Sequence, residues 1–332
     1  MTRATAFTAA AGVRTPLICG PMFPCSNPEL VAAVSAAGGL GVVQPMSLAS
    51  VHGWDFRDGL RRIRELSGGA PVGLNILLEH GFRRYQRRLD VWIDIALEQD
   101  VRFFLTALGH PRPIVERIHA AGGLVYHDVT GRGFAAKAVD AGVDGLICVN
   151  DRAGGHAGRR SQERLFAELS GYGLPLVCAG GVGTPQEFRA ALDAGYAAVQ
   201  CGTRFIATDE CTAGADYKAA ILAARAADIV LTEKLTGVPL SVIRTPAIDR
   251  LGLEAGGLAK RLLRHPRTKK WMRAWYLGRS LRRLPAAARD GGAYRDLWQA
   301  GRSVEGIDAV LPAGEVVRGF AAALGGGEAG GS

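Results

Sequence analysis

Eight short apolar runs recur at intervals of about 20 to 30 residues: "PLICG" from 16, "LGVVQ" from 40, "PVGLNI" from 71, "VRFFLT" from 101, "LVYHDV" from 124, "DGLICV" from 144, "PLVCAG" from 175 and "AAVQCG" from 197. Each is apolar continuously rather than at alternate positions, the mark of a strand covered on both faces, as in parallel sheets. Helix start signals fill the intervals. "SNPE" at 26–29 and "TPQE" at 184–187 each offer a Ser or Thr N-cap, an early proline and a glutamate at the third helical position. Several of these segments end in glycine, as in "SAAGG" and "HAAGG". Eight alternations of strand and helix predict an α/β fold, a (β/α)8 TIM barrel, with a doubly wound open sheet as the competing architecture.

A barrel of this kind carries its functional groups at the carboxyl ends of its strands, with phosphates favouring the loops after strands seven and eight. Those loops read "AGGVGTP" (Ala179 to Pro185) and "QCGTRF" (Gln200 to Phe205). Gly180, Gly181 and Gly202 free backbone N–H groups to approach an anion, Thr203 adds a hydroxyl, and the helix starting near Thr184 adds its dipole. After strand six, "AGGHAG" (Ala153 to Gly158) sets His156 between glycine pairs, where Gly154 and Gly155 let the backbone pass close under a flat ligand. Further candidates for the mouth are Gly20, Pro21, Met22 and Phe23 after strand one, and Asn75, whose amide suits the edge of a heterocycle. Met22 and Phe23 serve equally well as core. The neighbours His127 and Asp128 point to opposite sides of their strand, and His127 is taken as the one facing the mouth. His110 and His119 read as surface residues.

The chain has 332 residues, 48% of them apolar, ample for one large barrel core. Its net charge of +9 is local: between Ala255 and Arg289 no acid occurs and basic residues contribute +11, leaving −2 elsewhere. The expected organisation is a barrel over 1–207 with 291–322 packing back on it, a basic helical insertion or cap over 208–290, and a disordered glycine-rich tail over 323–332. The basic segment, with Trp271, Trp275 and Tyr276 among its charges, reads as a cap beside the site that draws in anionic substrates, or as a surface for nucleic acid or anionic lipid. Six cysteines without a C-x-x-C pair suggest neither a zinc site nor a disulfide framework. No apolar run reaches the length of a membrane span. The first residues run straight into a strand without a clear cleavage site, so a cytoplasmic location is expected.

The segments "GPM", "AAVSAAGGLGVV", "GVDGLICVNDRAGGHAG", "LVCAGGV", "AAVQCGTRFIATDEC", "DIVLTEKLTGVP" and "LWQAGRSVEGI" together resemble the FMN-dependent nitronate monooxygenases, also called 2-nitropropane dioxygenases. The resemblance covers most of the chain in matching order. It implies FMN with its phosphate on Gly180, Gly181, Gly202 and Thr203, ring contacts from Gly20, Pro21, Met22, Asn75 and Gln200, and His156 as the catalytic histidine. Ala153, Gly154, Gly155 and Cys201 complete the expected cofactor contacts, with Phe23 and His127 on the substrate side and no metal. The implied reaction oxidises an alkyl nitronate with O2 to a carbonyl compound plus nitrite or nitrate.

The same glycine motifs resemble NAD(P)H-dependent quinone and enoyl-thioester reductases, and they would also suit a flavin-free barrel holding a sugar phosphate or nucleotide. No G-x-G-x-x-G follows a strand and opens a helix, so NAD(P)H would enter over the flavin in the open mouth, which favours an oxidase or monooxygenase. The implied partners are a small anionic substrate and O2, with NAD(P)H and a second copy of the chain as further candidates, and neither nucleic acid nor membrane.

Overall fold

A computed structural model describes residues 4–78, 83–235, 238–254 and 297–325. The eight apolar runs form β1 (Leu17–Cys19), β2 (Leu40–Val43), β3 (Val72–Leu77), β4 (Phe103–Ala107), β5 (Leu124–Val129), β6 (Gly145–Val149), β7 (Leu176–Ala179) and β8 (Ala198–Cys201). They pair in chain order and close into a barrel, with β8 lying parallel to β1 through Leu17 opposite Val199 and Ile18 opposite Gln200.

Alternate residues of each strand serve two separate cores, because side chains along a strand point to opposite faces. Ile18, Val42, Leu105, Tyr126, Ile147, Val177 and Ala198 fill the lumen. Leu74, Ile76, Phe104, Val125, Leu146, Cys148 and Val199 pack outward against the helices. Helix α1 (Ala6–Ala11) closes the amino end of the barrel, where Phe7 meets the rings of Phe103 at 5.6 Å and Tyr126 at 6.0 Å edge-on. With that end plugged, the described residues leave the carboxyl ends of the strands as the side where the lumen can open.

Thr184 starts the helix after β7 as its sequence predicts, with Glu187 completing a capping box. "SNPE" behaves differently. Asn27, not Ser26, is the N-cap of α2 (Pro28–Ala36), because the Ser26 hydroxyl is taken by the Met22 N–H at 2.9 Å.

Beyond β8 the chain is not helical throughout, in contrast to the expected helical insertion. After α3 (Thr203–Ile206) and α4 (Ala215–Ala223), two β-branched stretches pair as antiparallel strands β9 (Ile229–Thr232) and β10 (Leu240–Ile243), followed by α5 (Pro246–Leu251). The chain then returns to the barrel. The C-terminal α6 (Ala313–Ala322) stacks Phe320 on Phe188 of the helix after β7, at 5.2 Å and 15°. The basic cluster from Lys260 to Arg289 and the tail from 326 lie outside the described residues.

Candidate active site

Strand alternation decides which side chains reach the open end of the lumen. Asn75 lies between Leu74 and Ile76, which face the helices, so its amide faces the lumen. Gln200 follows the lumen residue Ala198 with the same parity, and it lies so close to Gly20 that a Cβ there would meet its Cγ at 2.9 Å. On β5 the lumen residue is Tyr126, and parity therefore turns Asp128 inward and His127 outward. This corrects the sequence expectation that His127 faces the mouth. His127 is 5% exposed, its Nδ1 lies 2.8 Å from the Thr106 hydroxyl, and burial lowers its pKa to about 4. Cys201 is corrected in the same way. Its thiol faces the helix layer and donates to the Val182 carbonyl, leaving only its backbone near the lumen.

The three inward polar side chains, Asn75, Asp128 and Gln200, have no hydrogen-bond partner in the protein among the described residues, and the buried Oδ1 of Asp128 and Oε1 of Gln200 are orphaned outright. Buried polar atoms are nearly always paired in a native fold, so two orphans beside the Asn75 amide at one opening make it a candidate ligand site. From the sequence, Asp128 is weighed against His127 and set aside, since nothing within the strand separates the two.

The loops after β7 and β8 bring four further donors to the same opening. The N–H groups of Gly180, Gly181, Gly202 and Thr203 donate to nothing among the described residues. Gly180 at φ +118° and Gly181 at φ +78° hold a backbone that other residues rarely adopt, and a Cβ on Gly180 would sit 2.4 Å from Asn150 Oδ1. Asn150, fully buried, anchors the turn: its amide donates to the Gly180 carbonyl at 2.9 Å and its Oδ1 accepts the Arg152 N–H at 2.8 Å. Nothing in the sequence singled it out.

The expected help from the helix N-terminus at Thr184 is already used. Glu187 accepts the N–H groups of Gly183 at 2.8 Å and Thr184 at 3.2 Å, and also pairs with Arg152. The donors left over are those of the glycine backbone upstream of that helix.

His156 sits exposed on the loop after β6, and that loop is fixed from two sides. The Ser241 N–H of β10 donates to the Gly155 carbonyl at 2.7 Å. Gly154 packs so tightly under the returning chain that a Cβ would meet Gly301 N at 2.9 Å, and Gly301 itself donates to the Thr203 hydroxyl oxygen at 3.0 Å. Thr203 thus keeps its own O–H free to donate. Ala153 is buried beside this contact, and Pro21, Met22 and Phe23 are half-buried at the rim, with Met22 sulfur 3.5 Å from where a Cβ on Gly202 would stand. No group of three potential metal ligands occurs among the described residues.

The observed donor set fits a flat heterocycle carrying a phosphate: amides around a lumen on one side, glycine N–H groups on the other. Comparison with known proteins gives that shape a lineage. Residues 4–321 match the family described as nitronate monooxygenase. The chain belongs to the nitronate monooxygenase family. Among curated relatives, a nitronate monooxygenase of Pseudomonas aeruginosa is 31% identical over 70% of this chain and 77% of its own. A (3aS,4S,5R,7aS)-5-hydroxy-7a-methyl-1-oxo-octahydro-1H-indene-4-carboxyl-CoA dehydrogenase of Rhodococcus jostii is 29% identical over 74% and 67%. Among solved structures, FabK of Thermotoga maritima superposes with a TM-score of 0.77 at 26% identity, covering 98% of this chain and 97% of that one. A nitroalkane oxidase of Streptomyces ansochromogenes gives 0.75 at 26%, covering 97% and 98%. This family member is accordingly an oxidoreductase.

Proposed function

We propose that the protein is an FMN-dependent nitronate monooxygenase, oxidising alkyl nitronates with O2 to a carbonyl compound plus nitrite or nitrate. The observation that carries this reading is the convergence of partnerless polar groups on one opening: the N–H groups of Gly180, Gly181, Gly202 and Thr203 with the side chains of Asn75 and Gln200. The four N–H groups and the Thr203 hydroxyl hold the phosphate monoester, each bond to a charged group contributing about 1.5 to 3 kcal/mol. Asn75 and Gln200 present amide donors and acceptors to the ring edge, while Gly20, Pro21, Met22 and the Ala153 to Gly155 backbone border its faces. Bound FMN supplies a two-electron acceptor that is reoxidised by O2. His156 binds the nitronate oxygens and, for a neutral nitroalkane, removes the proton on the carbon bearing the nitro group. Phe23 lines the substrate side.

The test is the visible spectrum of the purified protein without oxygen. Flavin bands bleached by propionate 3-nitronate and untouched by NADH or NADPH support the reading, and a protein that takes up no FMN defeats it. His156→Asn is expected to keep FMN and lose about 10² to 10⁴ in turnover; a variant as active as the parent removes the assignment.

The likeness to the CoA-ester dehydrogenase favours a second reading, a reductase or dehydrogenase of acyl thioesters using NAD(P)H. Bleaching by NADH or NADPH alone would establish it in place of the first.

A further inference from the structure

Asp128 is the one acidic residue in the eight strands, and neither the fold nor the chemistry above uses it. It faces the lumen at the open end of β5. Its Oδ1 is sealed from solvent without a hydrogen-bond partner, and no Lys or Arg pairs with it among the described residues. On β4 the lumen neighbours are Leu105 and Ala107, and on β6 Ile147 lies in register with Asp128, followed by Val149. None of these carries a charge.

The nearby titratable groups are neutral. Cys148 on β6 points outward and burial pushes its thiol up, as it does the phenol of Tyr126 deeper in the lumen. His127 points the other way and burial holds it neutral. Past the strand end, Arg160 is occupied by the Thr130 carbonyl and Glu168, and Arg152 by Glu187. The charged residues of the helices flanking β5 lie across the sheet. Burial alone, with no compensating cation, raises the Asp128 carboxyl to about 7.

An ionised carboxyl and an anionic ligand cannot share such a confined, poorly solvated place without strong repulsion. A neutral carboxyl can, and its O–H becomes a donor to the ligand oxygen. Taking the mouth as the ligand site proposed above, we propose that Asp128 couples the binding of an anion there to the uptake of one proton. The proton comes from solvent onto the carboxylate, the new O–H donates to an oxygen of the anion, and no bond within the anion changes. The site thereby takes nitronate-like oxyanions at the cost of a proton and neutral substrates without one. Above the carboxyl's own pKa, anion affinity falls about tenfold per pH unit; below it, affinity is flat.

Nitrate, a planar trigonal oxyanion inert to redox chemistry here, is the probe. Calorimetric titration of the full-length protein in two buffers of different ionisation heat counts protons directly. Near one proton is expected at about pH 8 and near zero at about pH 5.5. Asp128→Asn is expected to take up none at either pH and to bind nitrate with a pH-independent Kd. Infrared difference spectra of the unaltered protein, with and without nitrate, should gain the C=O band of a neutral carboxylic acid at about pH 8, a readout independent of how any variant folds.

Nitrate bound at about pH 8 without proton uptake, uptake that persists in Asp128→Asn, or no binding at about pH 5.5 would each overturn the proposal. The visible absorbance of the same samples reports FMN separately. A colourless protein that takes up the proton defeats the cofactor reading alone, and a yellow one that does not defeats this coupling alone.

Discussion

Asp128 and His127 are neighbours on β5 that face opposite layers, and their protons pull stability in opposite directions. The Asp128 carboxyl, raised from 3.8 to about 7, binds its proton more tightly folded than unfolded, so its contribution is complete below about pH 4 and is lost as pH rises toward 7. The His127 imidazole, lowered from 6.5 to about 4, is favoured neutral in the fold, so its contribution is complete above about pH 6.5 and is lost as pH falls toward 4. Between those limits the slopes oppose each other. Asp128→Asn removes one of them: urea unfolding of the variant is expected to show stability rising by up to roughly 1.4 kcal/mol per pH unit from about pH 4 to 6.5, against a flatter profile in the parent. A variant profile as flat as the parent's would contradict the inward placement of Asp128. The sequence shows that such neighbours must part company, but which one turns inward depends on which of Val125 and Tyr126 fills the lumen. That is set by how eight strands close together, and β5 alone does not contain it.

At the scale of elements, the strands were legible because burial on both faces leaves no polar residue to blur a run such as "LGVV" or "LVCA". The glycine-rich loops were legible for a different reason: positions such as Gly180 and Gly181 require a backbone few other residues adopt. What could not be read were the contacts between elements distant in sequence. Ser26 was drawn away from its capping role by Met22, and the β9–β10 ribbon gave no sign that it would reach the histidine loop. Ser241→Pro deletes the N–H that Gly155 accepts. Hydrogen exchange across 153–158 should quicken by about fivefold to tenfold, the worth of one net hydrogen bond, while β1 to β8 keep their protection. Unchanged exchange in that loop would show that the ribbon does not brace it.

For the molecule as a whole, the barrel and the returning C-terminal segment share one core. Phe320 and Phe188 are both buried and stacked, so Phe320→Ala is expected to cost about 3 to 5 kcal/mol in denaturant unfolding, as for other large core aromatics. A loss below about 1 kcal/mol would mean that α6 merely rests on the barrel. The +11 charge between Ala255 and Arg289 is a whole-molecule feature as well: it turns a nearly neutral protein into a basic one, with a field that attracts anions in general.

The contact between Gly301 and Thr203 has a bearing on how the protein is made. A stretch ending at Thr203 holds all eight strands and every glycine of the proposed anion cradle. It lacks Ser241 to brace Gly155, and it lacks Gly301 to set the Thr203 hydroxyl. Synthesis therefore completes the walls of the site before its fastenings.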